Sequence, residues 1–191
     1  YAAPDNPTTT TKVKAKIINY AYKNKMQCQV TQIIGNINES GVDILSKILK
    51  HNVDPIFPEE VIEYAAQFKS LDADEYRRRE DYRDRQIITI DGDDAKDYDD
   101  AIEVYQKDNG NYYLGVHIAD VSYYVKENSV LDQEALNRAT SIYLVDRVIP
   151  MLPENLSNNL CSLMPNVDRF AVSCEMEITS EGRVKSHRIF P

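Results

Sequence analysis

The sequence predicts an α+β chain in which strand-rich ends flank a helical middle, and three observations carry that prediction. Strand-like runs occur at Thr11–Asn19, Met26–Ile34, Ile87–Ile90, Ala101–Gln106 and Tyr112–Ala119, short and bounded by turn residues as strands are. Between Gly41 and Lys69 the apolar residues recur at helical spacing instead. Asp108-Asn109-Gly110 and Ser180-Glu181-Gly182 separate strand-like runs, and such turns fold neighbouring strands antiparallel.

The first two strands are expected to be joined by a turn at Tyr22-Lys23-Asn24-Lys25. Lys12, Lys14 and Lys16 alternate along one face of the first strand. Lysines there suit a soluble edge strand that resists pairing with other chains. Tyr20 and Tyr22 add aromatic rings among the lysines, a combination that can stack bases and hold phosphates. Both readings stay open. Next, Val42, Leu45, Ile48 and Leu49 give one helix over Gly41–His51, and Pro58-Glu59-Glu60 opens a second that reaches about Lys69, with acids at its positive end. Asp72 to Arg85 mixes acids with Arg77, Arg78, Arg79, Arg83 and Arg85, which predicts a solvated helix with i,i+4 ion pairs. Ser129 caps a helix running to about Thr140, a short helix lies near Glu154–Leu163, and Phe170–Ile178 with Arg183–Phe190 forms a last hairpin.

Composition sets the limits. A chain of 191 residues with 42% hydrophobic content can bury a core as one domain or two small ones. It has no run of eighteen apolar residues and no start resembling an export signal, so a cytoplasmic location without membrane contact is expected. Cys28, Cys161 and Cys174 are odd in number and widely spaced; no zinc spacing emerges, and all three are expected reduced and buried. The net charge of −9 opposes a polyanionic partner. Its distribution does not: residues 1–36 hold five lysines against Asp5, or +4, leaving −13 for residues 37–191.

Much of that excess is one cluster. Asp91, Asp93, Asp94, Asp97, Asp99 and Asp100 fall within ten residues, with Lys96 the only cation among them. Like charges this close stay together only if water solvates them or a cation neutralises them. A calcium loop read from Asp91 fails at Ala95, at Lys96 where its turn glycine belongs, and at Ile102. Carboxylates without imidazole or thiolate suit Mg²⁺ or Mn²⁺, whose usual chemistry with such clusters is on phosphates. Asp97 and Asp99, two apart at the expected start of a strand, would share a face, and Asp91 would close the preceding strand and meet them across a hairpin. Asp100 points the other way by alternation. Folding the next hairpin about Asn109 brings Ala119 and Asp120 beside Asp99 and Tyr98, which makes Asp120 a candidate for the edge of the site. His117, a lone strand histidine, reads as structural.

Thr89-Ile90-Asp91-Gly92-Asp93-Asp94-Ala95-Lys96-Asp97-Tyr98-Asp99-Asp100-Ala101 resembles the catalytic signature of the ribonuclease II superfamily. Further blocks follow in the family's order: Val116-His117-Ile118-Ala119-Asp120-Val121-Ser122-Tyr123-Tyr124-Val125, Ala139-Thr140-Ser141-Ile142-Tyr143-Leu144, and Ile149-Pro150-Met151-Leu152-Pro153 running on to Leu160-Cys161-Ser162-Leu163. The resemblance implies a processive hydrolytic exoribonuclease, monomeric, that shortens single-stranded RNA from its 3′ end with Mg²⁺ and releases nucleoside 5′-monophosphates. It implies Asp91, Asp97, Asp99 and Asp100 as catalytic metal ligands, with Asp100 resting on the resemblance alone, and Tyr143 as an aromatic that stacks on a terminal base. It also implies domains. Residues 1–40 would be the end of a second cold-shock domain of the OB type, 41–84 a helical connector, and 85–191 the first part of the RNB catalytic domain. Too few strands precede residue 40 for a whole barrel, so the chain is expected to be a fragment, lacking a later arginine and glutamate of the family's site. A polymerase-like nucleotidyltransferase centre and a noncatalytic single-stranded RNA-binding module remain as alternatives.

Overall fold

The computed structural model describes residues 10–20, 26–93 and 95–191; Tyr22 with the expected Tyr22–Lys25 turn, and Asp94, lie outside them. The element order is β1 (Thr11–Tyr20), β2 (Met26–Asn36), α1 (Val42–Lys50), α2 (Glu59–Ala65), α3 (Ala73–Arg78), β3 (Asp100–Gln106), β4 (Tyr112–Ala119), α4 (Val121–Tyr124), α5 (Val130–Arg138), β5 (Ile142–Tyr143), β6 (Val148–Ile149), a π-helical turn at Leu156–Leu160, β7 (Ala171–Ile178) and β8 (Val184–Phe190). Two units result: the chain up to Ile56 with Leu144–Arg147, and Phe57–Tyr143 with Val148–Pro191. No helix among the described residues is long and apolar enough to cross a membrane.

In the first unit β1 and β2 pair antiparallel with register shifts. Two shifts fall on β2, so Lys12, Lys14 and Lys16 stay opposite Gly35, Gln32 and Gln29, while Val13, Ala15 and Ile17 face Ile33, Val30 and Cys28. Each bulge adds a residue and restores the phase that separates a polar face from an apolar one. Helix α1 buries Val42 and Ile48 and approaches β2 at Gly35, where a Cβ would sit 2.6 Å from Val42 Cγ2 at a φ of +147°. Only glycine fits that approach. Cys28 is exposed, against the expected burial, because β2 leaves much of its surface in solvent; Cys161 is buried and Cys174 half-buried.

The second unit centres on the antiparallel sheet β3-β4-β7-β8. Its hairpin turn puts Gly110 alone in the left-handed region, at φ +83°, and Asn109 Oδ1 accepts from Asn111 N at 3.0 Å. A core of Val61, Ala65, Ala119, Tyr124, Leu131, Leu156, Leu160, Cys161 and Phe170 joins α2, α4 and α5 to the sheet end. Ser129 caps α5, accepting from Asp132 N, while Asp132 Oδ2 accepts from Asn128 N. Helix α2 stops at Ala65, short of Lys69.

The sheet is polar inside and apolar outside. Glu103, Gly115, Glu175 and Arg188 lie in register across the four strands, as do Ala101, His117, Ser173 and Phe190. On this face Ala101, Glu103, His117 and Ser173 are buried, whereas Val104, Ile118 and Ile189 on the other are exposed. The stretch after α3 explains the inversion. Instead of continuing as a solvated helix to Arg85, the chain becomes extended at Arg79 and sends cations onto the inner face. Arg85 Nη1 donates to Glu103 Oε2 at 3.2 Å and lies over the Tyr82 ring. Tyr82 and Tyr113 hydroxyls both donate to Glu175, and Arg188 joins Glu175 at 2.9 Å and Glu80 at 3.0 Å. Buried charges are tolerated when paired and hydrogen-bonded in this way.

Candidate active site

The acidic segment is a wide loop rather than a strand-to-strand hairpin. Ile87–Ile90 contributes one antiparallel bridge, Ile88 to Ile102, and β3 begins at Asp100, not Asp97. A run of closely spaced acids opposes regular pairing, because like charges would face each other across the ladder. Inside the loop, Ala95 N donates to Gly92 O at 3.0 Å, closing the expected turn. Beyond it the backbone is pinned. Tyr98 N donates to Ser162 Oγ at 3.0 Å, Ser162 Oγ donates to Lys96 O at 2.9 Å, Leu163 N donates to Tyr98 O at 2.8 Å, and Ala119 N donates to Asp99 O at 2.9 Å. The last bond places the end of β4 beside Asp99, as folding about Asn109 predicts.

Since residues 95–99 are irregular, strand alternation does not assign faces to Asp97 and Asp99. Electrostatics groups the acids instead. Burial first, then the charges of Asp97, Asp100 and Asp91, push the Asp99 carboxyl above its ordinary range. Among the described residues none of the four has a Lys or Arg ion-pair partner, although fourteen such pairs form elsewhere. Four neighbouring carboxylates without a Lys or Arg ion-pair partner are a donor set that suits a hard divalent cation in type and charge. They are neighbours without forming a coordination sphere: among the described residues no three His, Cys, Asp or Glu side chains converge tightly enough to hold an ion. One oxygen is engaged elsewhere. Tyr143 OH donates to Asp97 Oδ2 at 2.7 Å, and this bond, then burial and the charges of Asp97 and Asp99, raise the phenol to about 12. Tyr143 is 65% exposed.

Asp120 does not join the acids. It is 4% exposed, caps α4 by accepting from Tyr123 N at 3.1 Å, accepts from Ser122 Oγ at 2.7 Å and pairs with Arg79 Nη2 at 2.6 Å. Burial raises its carboxyl, but these hydrogen bonds and the Arg79 charge outweigh it and leave it below the ordinary range. Position along the chain put Asp120 near Asp99; the arginine supplied by the extended stretch after α3 turns it into a structural ion pair. His117 is structural too, its Nδ1 2.8 Å from Ser173 Oγ. Lys14, Lys16 and Tyr20 are exposed on β1 and Lys12 is half-buried. A cleft of about 920 Å³ lies along Tyr76, Tyr82, Tyr98, His117 and Phe170, but none of the four aspartates lines it, and its Arg79, Arg83 and Arg85 are already paired. Sequence reasoning missed the pins at Ser162 and Leu163 and the Tyr143–Asp97 bond. A serine inside the apolar run Leu160–Leu163 was the available signal, since a buried hydroxyl needs partners.

A family model described as RNB domain matches residues 79–191, and one described as cold shock domain matches residues 3–58. The chain belongs to the RNB-domain family. It is 48% identical to Ribonuclease R of Thermotoga maritima over 198 aligned positions, covering 100% of this chain and 28% of that protein. It is 49% identical to Ribonuclease R 1 of Lactococcus lactis over 181 positions, 93% of this chain and 22% of that protein. Among solved structures, Mycoplasma genitalium RNase R in complex with ribose-methylated single-stranded RNA superposes with a TM-score of 0.90 at 36% identity, covering 98% of this chain and 30% of that one. The chain thus spans less than a third of each of these proteins.

Proposed function

We propose that the whole protein is a Mg²⁺-dependent exoribonuclease that shortens single-stranded RNA processively from the 3′ end and releases nucleoside 5′-monophosphates, with Mn²⁺ able to substitute. The observation that carries the reading is the group of four uncompensated aspartates around Asp99 in a chain of the RNB-domain family. Asp91, Asp97, Asp99 and Asp100 would hold the metal. A bound divalent ion supplies charge neutralisation at the phosphate and lowers the pKa of a water toward neutrality. The chain's own groups do the positioning: Ser162, Leu163 and Ala119 fix the loop backbone, and the exposed Tyr143 ring stands beside Asp97 where it can stack on a base near the reacting end. On this reading residues 1–40 are the end of a cold-shock domain, 41–84 a connector and 85–191 the first part of the catalytic domain. Lys12, Lys14, Lys16 and Tyr20 offer RNA a basic, aromatic strand, Tyr22 adds a further aromatic two positions on in the sequence, and the protein works as a cytoplasmic monomer.

Incubation with 5′-labelled poly(A), with Mg²⁺ or with EDTA, tests the reading. Progressive shortening with monophosphate release only when Mg²⁺ is present supports it. Primer elongation from nucleoside triphosphates would make the centre a nucleotidyltransferase, and Mg²⁺-indifferent RNA binding without cleavage would make the protein a binding module.

A further inference from the structure

Within the block Leu160-Cys161-Ser162-Leu163, which pins the acidic loop, the serine is fully buried. Ser162 has 0% exposure in a core that includes Leu156, Leu160 and Cys161. Both hydrogen-bonding roles of its hydroxyl are spent on the acidic loop, accepting from Tyr98 N at 3.0 Å and donating to Lys96 O at 2.9 Å. Those two residues bracket Asp97. The next residue, Leu163, adds its amide to Tyr98 O at 2.8 Å. Two bonds from Ser162 therefore hold the peptide units on either side of Asp97, the Leu163 amide holds the unit after Tyr98, and Tyr143 OH holds the carboxylate itself at Oδ2. Nothing in the loop's own sequence would fix it, since residues 95–99 belong to no helix or strand and their carboxylates repel one another.

We propose that Ser162 is a positioning residue for the metal centre: its buried hydroxyl sets the backbone on both sides of Asp97, so that this carboxylate meets the cation already oriented. The proposal rests on the reading of Asp97 as a metal ligand. Groups that fix the orientation of a metal ligand commonly govern affinity about 10–100-fold, and the Ser162 hydroxyl acts on Asp97 through the backbone on both sides of it, in a buried site where such bonds are strong.

The test uses Mn²⁺ as the probe, its affinity read from the electron paramagnetic resonance of the free ion, together with amide hydrogen exchange at Tyr98 by NMR. The proteins are wild type, Ser162→Ala, Ser162→Cys, Asp97→Asn and Ser173→Ala. Ser162→Cys keeps the core filled should Ser162→Ala fail to fold. Ser173→Ala is the control, for it too removes a buried, hydrogen-bonded hydroxyl, but one on the sheet face beside His117. Expected are a Mn²⁺ dissociation constant raised about 10–100-fold in the Ser162 variants, faster exchange at the Tyr98 amide, and Mn²⁺ binding within twofold of wild type for Ser173→Ala. The proposal is overturned if the Ser162 variants bind Mn²⁺ within twofold of wild type while Asp97→Asn loses it, or if Ser173→Ala weakens binding as much as they do. If wild type and Asp97→Asn bind Mn²⁺ alike, the metal reading of Asp97 fails. Tyr98 then decides the clamp separately, unchanged exchange in the Ser162 variants showing that the hydroxyl holds nothing.

Discussion

Replacing Arg79 with methionine should destabilise the second unit by about 3–5 kcal/mol, the usual cost of removing one partner from a buried ion pair. The structure supports the upper half of that range. The Arg79 side chain is 10% exposed and that of Asp120 4%, their atoms are 2.6 Å apart, and the guanidinium also donates to Glu75 Oε1 at 2.8 Å and Ala171 O at 3.2 Å and lies 4.4 Å from the centre of the Phe170 ring. Methionine keeps most of the apolar stem and leaves Asp120 charged in a site closed to water. Its remaining bonds from Ser122 and Tyr123 recover only part of that cost. Asp120→Asn keeps the shape and should lose roughly 1–3 kcal/mol. The double variant should recover part of the Arg79→Met loss, because no orphan charge remains. Urea unfolding followed by circular dichroism gives all three values. A loss below 1 kcal/mol for Arg79→Met would refute the reasoning, and so would a double variant no more stable than Arg79→Met alone. Mn²⁺ affinity adds a functional arm: Asp120→Asn should leave it within twofold at temperatures where the variant is folded.

Asp99→Asn in the whole protein should abolish RNA shortening while RNA affinity, measured by fluorescence anisotropy, stays within about threefold, since a charge is lost without a change of shape; retained turnover removes Asp99 from the catalytic set. Tyr143→Ala should change the length of the final undegraded oligonucleotide more than the rate on long RNA, because one stacking contact worth roughly 1–3 kcal/mol matters most when few nucleotides are bound. Gel analysis of the end product checks this, and an unaltered length returns Tyr143 to a purely structural role. Glu175 predicts a pH dependence. Burial raises its carboxyl, but the hydroxyls of Tyr113 and Tyr82 and the Arg188 guanidinium outweigh it and hold it at about 2 against an ordinary 4.5. A depressed folded value means stability that is present above 4.5 and lost as pH falls toward 2, on the order of 1–3 kcal/mol after allowance for partial exposure. Thermal unfolding of wild type and Glu175→Gln between pH 6 and 2.5 should show the two curves converging as pH drops.

Legibility followed the range of the interactions. Strand limits at β3 and β4 were readable almost to the residue because alternation and the Asn109-Gly110 turn are local, and the Ser129 cap of α5 was readable for the same reason. The stretch from Asp72 to Arg85 was not. Its acids and arginines have helical spacing, but Arg79 and Arg85 bond to Asp120 and Glu103, and a partner 41 or 18 residues away leaves no local trace. The four aspartates carry a motif, so their nomination needed no fold. What holds Asp97 in place comes from Ser162, sixty-five positions later, and only the folded chain brings the two together.

The reversed polarity of the sheet bears on how its strands find their register. In an ordinary half-buried sheet, a slip of one residue is punished by exposing hydrocarbon. Here the buried face carries the charges, so a slip is also punished by leaving a charge without its partner. Shifting β7 by one position against β4 would set Cys174 and Met176 under Arg85 and Tyr82 and carry Glu175 away from both. Glu103, Glu175 and Arg188 with the overlying Arg85 act as a key that fits one alignment, and a buried network fits fully or hardly at all. Fidelity of strand pairing in this sheet therefore rests on Glu175 being ionised beside arginines that keep their charge, so refolding at low pH should yield misaligned strands well before it prevents strands from forming.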